Sequence, residues 1–298
     1  MLASKPQRGA VDLSRIDQRY NWYWNKAPVD SHGTTPTLGA WFWPFWEWGA
    51  TNVVRSITNV RDPLGVILSG ATFEVEGRDF GLDANTSEGI NFGNFYPFFD
   101  SATPWTVWAA FRTTDTETDD NCLWSKFGAG STKALLWRVD KGPSPENLEC
   151  KFNNALVTGS DPADHVIHEN VPYLIVGKLV GTTWTQWAID LNTGKFVIDG
   201  DGGPINTGTS TFNVKVWIGS RDTDADHFQG AIFAAGLIHN LDITREQVAL
   251  LGRDYYGPIR PLRRKVWKVP AAPAGDPEGP LIGGKLIGGG ILSGRLVG

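Results

Sequence analysis

The chain has 298 residues, 41% of them apolar, and a formal net charge of -5. That length allows one large domain or two small ones. The modest negative charge excludes a nucleic-acid groove, which needs a basic stripe, and no apolar run is long enough to cross a bilayer.

The 14 tryptophans and 35 glycines point to many strands, tight turns and large aromatic contacts. The opening "MLASKPQRGAVDLSRID" has no apolar h-region, so no secretory leader is expected. Cys122 and Cys150 are too few for a disulfide scaffold and are expected to be reduced.

Residues 1–62 read as a Trp-rich N-terminal arm. "YNWYWNKAP" and "LGAWFWPFWEWGATN" place six tryptophans between Trp22 and Trp48. Pro44 breaks the alternation, which resets the register or sets this segment at an edge. Three readings follow. The rings cover the open face of a sandwich, meet a neighbouring subunit, or form a sugar-stacking platform. The first is the plainest.

From Val53 to about Leu251 the pattern is nearly all strand. "NVVRSITNV", "GVILSGATFEVEG", "WTVWAAFRT", "KALLWRV", "LECKFNN", "YLIVGKLV", "TTWTQWAIDL", "FNVKVWIG" and "GAIFAAGLIHN" are short runs of β-branched and aromatic residues. Turn residues separate them, among them "TDTETDDN", "DKGPSPEN", "TGSDPAD" and "DGDGG". This spacing predicts a β-sandwich or barrel. The one helical pattern is "ITREQVALLGRDYYG". Thr244 is its expected N-cap, with Gln247 at the capping-box position. Val248, Leu250 and Leu251 form its apolar side, and Gly252 is its expected end.

Several stretches carry chemistry. Alternation in "FEVEGRD" would put Glu74 and Glu76 on one strand face, with Asp79 nearby. That is the nearest approach to the paired carboxylates of a glycosidase; the plainer reading is a solvated strand. His165 and His168 stand three apart without a zinc signature, and "FGAGSTKA" lacks phosphate-loop spacing and reads as a hairpin turn. In "WIGSRDTDADHF", Asp222, Asp224 and Asp226 match the first half of an EF-hand loop. The second half is missing, since His227 and Phe233 stand at the glycine and glutamate positions. Calcium is the one cofactor the sequence offers a place for; the plainer reading is a charged loop in water. "TTDTETDDN" is an alternative acidic rim.

After Tyr256 a proline-rich basic stretch reads as a linker. A five-residue repeat then runs from Gly279 to Gly298: GPLIG, GKLIG, GGILS, GRLVG. Its aliphatic pairs are Leu281 and Ile282, Leu286 and Ile287, Ile291 and Leu292, Leu296 and Val297. A segment of this kind cannot bury such pairs alone, so it is expected to assemble with its own copies, a trimer being one arrangement, or with another subunit.

The middle of the chain resembles the laminin-G-like, concanavalin-A-like jelly-roll superfamily. The residues that carry this are "PWTVWAAFRTTD", "NVPYLIVGKLVGTTWTQWAIDLNTGKFVIDGDGG" and "VWIGSRDTDADHFQGAIFAAGLIHNLDITREQVALLGRDYYGP". The resemblance implies an all-β jelly-roll sandwich over residues 63–262, with extended arms at 1–62 and 263–298. It also implies loop calcium sites and sugar binding, for which Trp184 and Trp187 are candidate rings beside Trp137. The arms around such a core are similar to those of phage and prophage structural proteins. The expectation drawn from this is a non-enzymatic virion protein made in a host cytoplasm. It would dock through its arms onto other virion proteins and present a glycan-binding core, with no nucleic acid and no membrane insertion. The rival readings are a carbohydrate-binding module exported without a leader and a polysaccharide hydrolase.

Overall fold

A computed structural model describes residues 17–24, 29–30, 36–37, 40–45, 53–54, 65–67, 72–74, 77–80, 89–92, 104–114, 120–127, 133–140, 145–152, 155–158, 165–205, 216–221 and 226–259. The chain divides into two units, Met1–Leu262 and Arg263–Gly298. The second unit, with the aliphatic pairs from Leu281 to Val297, lies outside the described residues.

In the first unit β1 (Val29–Asp30) pairs with β2 (Pro36–Thr37). Short strands follow: β3 (Ala40–Pro44), β4 (Val53–Val54), β5 (Gly65–Ile67), β6 (Thr72–Glu74), β7 (Gly77–Phe80) and β8 (Ile90–Asn91). The long ones begin with β9 (Trp105–Thr113), β10 (Asn121–Phe127), β11 (Lys133–Val139) and β12 (Glu146–Phe152). Then come β13 (Ala155–Thr158), β14 (His165–Ile167), β15 (Pro172–Val180), β16 (Thr183–Asp190), β17 (Lys195–Pro204), β18 (Val216–Ile218) and β19 (Gly230–His239). Two helices, α1 (Asn21–Trp24) and α2 (Arg245–Arg253), complete the set.

The other described strands form two antiparallel sheets, so the fold is all-β. The first runs β13-β12-β11-β10-β18-β8-β5-β4, with β14 added beside β12. The second runs β17-β16-β15-β9-β19-β7-β6, with β3 added beside β19. β7 and β3 share one edge of β19: β7 takes Gly230 to Ile232 and β3 takes Ala234 to Ile238.

Side-chain alternation explains the layers. Val107, Ala109 and Phe111 of β9, with Ile175 of β15 and Leu237 of β19, meet Leu123, Trp124, Trp137 and Leu148 of the first sheet. This is the core between the sheets. The alternate residues Trp108, Ala110, Leu174, Val176, Phe233 and Ile238 form a second core on the other face. A sheet buried on both faces needs a second cover. The described part of the N-terminal arm and α2 supply it: Tyr20, Tyr23, Trp24, Phe42, Val248 and Leu251 all belong to that second core.

The described tryptophans of the arm therefore belong to the sandwich itself. β3 is a strand of the second sheet, and Trp41 and Trp43 are 1% exposed, on the core between the sheets. This is the plainest of the three readings of the arm's rings, that they cover a face of the sandwich. Tyr23 is the pivot. Its hydroxyl donates to the Trp41 carbonyl at 2.7 Å and accepts from Trp108 Nε1 at 3.2 Å. Gly236 makes room for this, because a Cβ there would lie 2.1 Å from Trp108 Nε1 and 2.3 Å from the Tyr23 hydroxyl. Burial pushes the Tyr23 phenol far above its ordinary range, so it stays neutral.

α2 starts as its sequence predicts. Gln247 N–H donates to Thr244 Oγ1 at 3.3 Å, and Thr244 N–H donates to Gln247 Oε1 at 2.9 Å. It does not end at Gly252. The helix continues to Arg253, and Gly252 instead lets it approach β16, where a Cβ would stand 2.5 Å from Ile189 Cδ1. "DGDGG" is likewise strand rather than turn. It runs within β17, where Gly202 lies so close to Trp184 that a Cβ would meet its carbonyl oxygen at 2.1 Å.

Removing the pivot tests the second core. Tyr23→Phe leaves Trp108 Nε1 buried without that acceptor, which should lower unfolding stability by about 1–3 kcal/mol. Urea denaturation with an unchanged slope would show it.

Candidate functional site

β9 neighbours β19 in the second sheet, and β10 neighbours β18 in the first. The chain crosses between the sheets from β9 to β10 and again from β18 to β19, so both crossovers leave at the same rim. These are the two acidic loops that the sequence offers as alternatives. Neutral hydrogen bonds join their ends. Thr114 N–H donates to the Gln229 carbonyl at 3.0 Å, and Gln229 N–H donates to Asn121 Oδ1 at 2.7 Å. Phe228 N–H donates to the Gly219 carbonyl at 2.9 Å. Ser125 Oγ lies 2.9 Å from the carbonyl oxygens of both Ser220 and Arg221.

Arg138 of β11 stands at this rim. Its neighbours Trp137 and Val139 point into the core, so alternation turns Arg138 to the opposite face. There it is in register with Glu149 of β12 and Cys122 of β10. Arg138 Nε donates to Glu149 Oε2 at 2.6 Å, and Nη2 lies 3.2 Å from Asp140 Oδ1. Nη1 bonds Asp120 Oδ2 and lies 3.5 Å from Asp226 Oδ2. Arg221 Nη1 approaches the same Asp226 oxygen at 2.8 Å, and Lys151 Nζ reaches Glu149 Oε1 at 2.7 Å. Four carboxylates thus face three cations, one negative charge in excess. The Arg138 side chain is 10% exposed. Burial alone would lower its proton affinity; the charges of Glu149, Asp120 and Asp140 outweigh that and hold it above the ordinary range.

Asp226 itself adopts a left-handed backbone, with φ of 56°, a conformation that aspartate tolerates better than most residues. Its Oδ2 faces two guanidinium groups, so a calcium ion at that oxygen would meet two positive charges. Asp222 and Asp224 lie outside the described residues. Among the described residues no three His, Cys, Asp or Glu side chains are grouped to hold a metal ion. His168 is exposed past the end of β14, which carries His165.

The rings proposed for sugar stacking are placed elsewhere. Trp184 is fully buried between the sheets, beside Trp137. Both indole N–H groups point to Gln186 Oε1, at 3.4 Å and 3.0 Å, and Gln186 Nε2 donates to the Leu148 carbonyl at 3.0 Å. Trp187 lies on the second core at 5% exposure, with Lys178 Nζ 5.5 Å over its ring. Neither offers a free face to a sugar, because alternation commits each to one of the two cores. Beside Trp187, the Arg245 guanidinium covers Phe196 at 4.3 Å and forks onto Asp199 at 2.7 and 2.6 Å, fastening α2 to β17.

Of the carboxylates of "FEVEGRD", Glu74 ends β6 and pairs with Gly77 at the start of β7. Glu76 lies outside the described residues. Cys122 and Cys150 are both free and buried. Cys150 belongs to the core between the sheets and Cys122 does not, and burial pushes both thiols well up.

No family model matches the chain, and no curated protein matches it. Solved structures do. Trypanosoma rangeli sialidase shares 13% identity at a TM-score of 0.47, over 79% of this chain and 36% of the sialidase. An arabinofuranosidase complexed with arabinofuranosyl-α-1,2-xylobiose shares 9% at 0.46, over 68% and 45%. Domain 4 of a GH43 extracellular arabinanase from Geobacillus stearothermophilus, in complex with arabinotriose, shares 14% at 0.41, over 77% and 94%. The chain spans barely more than a third of the sialidase. All three neighbours are glycosidases or a part of one. They correct the expectation of a non-enzymatic virion protein and stand with its rival, the polysaccharide hydrolase. A likeness this low transfers no residue and no substrate.

One other buried charge bears on stability. Lys126 of β10 is fully buried, opposite Leu135 and Val216 of the core. Burial lowers its pKa to about 8. In an unfolded chain a lysine titrates near ~10.4. Between these values the unfolded chain holds a proton that the folded chain has released, so stability rises with pH across that window. The expected gain is on the order of 3 kcal/mol from pH 7 to 10.5. Lys126→Met should flatten this rise relative to the unmodified chain, as read by urea unfolding at several pH values.

Proposed function

We propose that this chain is a carbohydrate-active protein of the polysaccharide-hydrolase class, which engages its substrate at the rim organised by Arg138. The observation that carries the reading is a convergence. Asp120 precedes β10, Asp140 follows β11, Glu149 lies on β12, and Asp226 precedes β19, yet one guanidinium meets all four. Hydrolysis of a glycosidic bond runs on two carboxyl groups flanking that bond. Carboxylates, guanidinium and ammonium groups also supply the acceptors and donors that sugar hydroxyls need. Exposure divides the four into two roles. Asp140 and Asp120 have side chains 36% and 19% exposed and are placed to meet a substrate. Glu149 and Asp226, at 8% and 10%, support Arg138 from below.

The finer family reading is a proposal as well: a laminin-G-like jelly roll. Its supports are the paired inter-sheet crossovers and the capped helix that directly follows β19.

The test is the release of reducing ends from a broad panel of polysaccharides, run beside retention on a glycan array. The full chain should release reducing ends from at least one polymer. Asp140→Asn should reduce the rate roughly a hundredfold or more while the circular dichroism spectrum stays unchanged. Retention without release would make the chain a binding module and overturn the hydrolase reading. Neither release nor retention by folded protein would overturn the carbohydrate reading altogether.

A further inference from the structure

Two of the passages between the sheets, β9 to β10 and β18 to β19, run beside Arg138. Each carries one carboxylate to the same nitrogen of Arg138: Asp120 from the first and Asp226 from the second. The remaining nitrogens of that guanidinium are held by the first sheet, through Glu149 and Asp140. Arg138 is therefore fixed on the side of the sheet, at 10% exposure, and reaches both loops at once.

From this geometry we infer that Arg138 is a shared latch, which sets the positions of the two rim loops together. A guanidinium presents a rigid, planar fork of five N–H donors. One fork holding carboxylates from two loops couples them: loosening one carboxylate re-aims the nitrogen that the other needs. Arg221 adds to the second loop through Asp226 at 2.8 Å, and Lys151 adds to the anchor Glu149 at 2.7 Å. A lysine at 138 carries the same charge on a single ammonium and cannot bridge the separated partners of Nε, Nη1 and Nη2 simultaneously. Arg138 is thus a positioning residue for the rim. The latch shapes the site of the proposed function, but it stands on the ion-pair geometry and needs no substrate.

Hydrogen–deuterium exchange on the full chain without ligand tests it. In Arg138→Lys, peptides covering 113–121 and 219–228 should both exchange faster, by at least about tenfold, while peptides within β9, β15 and β19 keep their protection. Arg221→Met should speed 219–228. Unchanged exchange in Arg138→Lys, or faster exchange in one of the two peptides only, would overturn the shared latch. So would a rise throughout the core strands, because Arg138 would then hold up the sandwich rather than its rim. A chain that releases no reducing ends yet shows the paired rise retains the latch and loses only the hydrolase reading.

Discussion

A sheet with two apolar faces has to be covered twice. β9, β15 and β19 form such a sheet: every residue of β19 is buried, and alternate residues of all three strands feed separate cores. Fully burying one large apolar side chain is worth roughly 1.5–3 kcal/mol, so leaving either face wet is not an option. The first sheet covers one side. The other is closed by α1 and α2, drawn from the two ends of the first unit, with β3 extending the sheet beneath them. Tyr23 links these pieces, with one hydroxyl serving a β3 carbonyl and a β9 indole. Gly236 and Gly252 are the two points where a missing Cβ permits the close approach.

This double burial also decides where polar chemistry is allowed. The large apolar side chains of β9, β15 and β19 are committed to one core or the other, so the described tryptophans serve packing. Gln186 is a polar exception, and its amide is occupied by two indoles and a carbonyl. Charge is pushed to places where the sheets lose cover. The Arg138 rim is one such place, at the end of the first sheet where both crossovers emerge. A buried guanidinium without partners would be very costly. Here it is surrounded by carboxylates, and the cluster is compatible with burial for that reason.

The rim has a floor and two walls. The floor is β11 and β12, where Arg138 and Glu149 sit in register. The walls are the two crossovers, each joined to a strand end by neutral hydrogen bonds and to the floor by charge. Loops on a rigid scaffold are where binding and catalytic groups usually sit. The physical content of the carbohydrate reading is that arrangement and not the aromatic surface that Trp-rich composition first brings to mind.

Much of the fold was legible from local pattern. β9 and β11 match their predicted runs residue for residue, and the Thr244–Gln247 capping box is read directly from spacing, because both depend on neighbours within a few positions. Other features were not. Trp184 and Trp187 look equally available until two cores claim one each. Arg138 gave one signal, an arginine between two core positions in "KALLWRV", but nothing local says which carboxylates it meets. The sequence by itself determined an all-β chain with one capped helix, since period and caps are short-range properties. Only the tertiary structure decided among the three readings of the arm's rings and showed that two acidic loops share one arginine. Those contacts join residues separated by as many as 234 positions, and the fold of the whole unit brings them together.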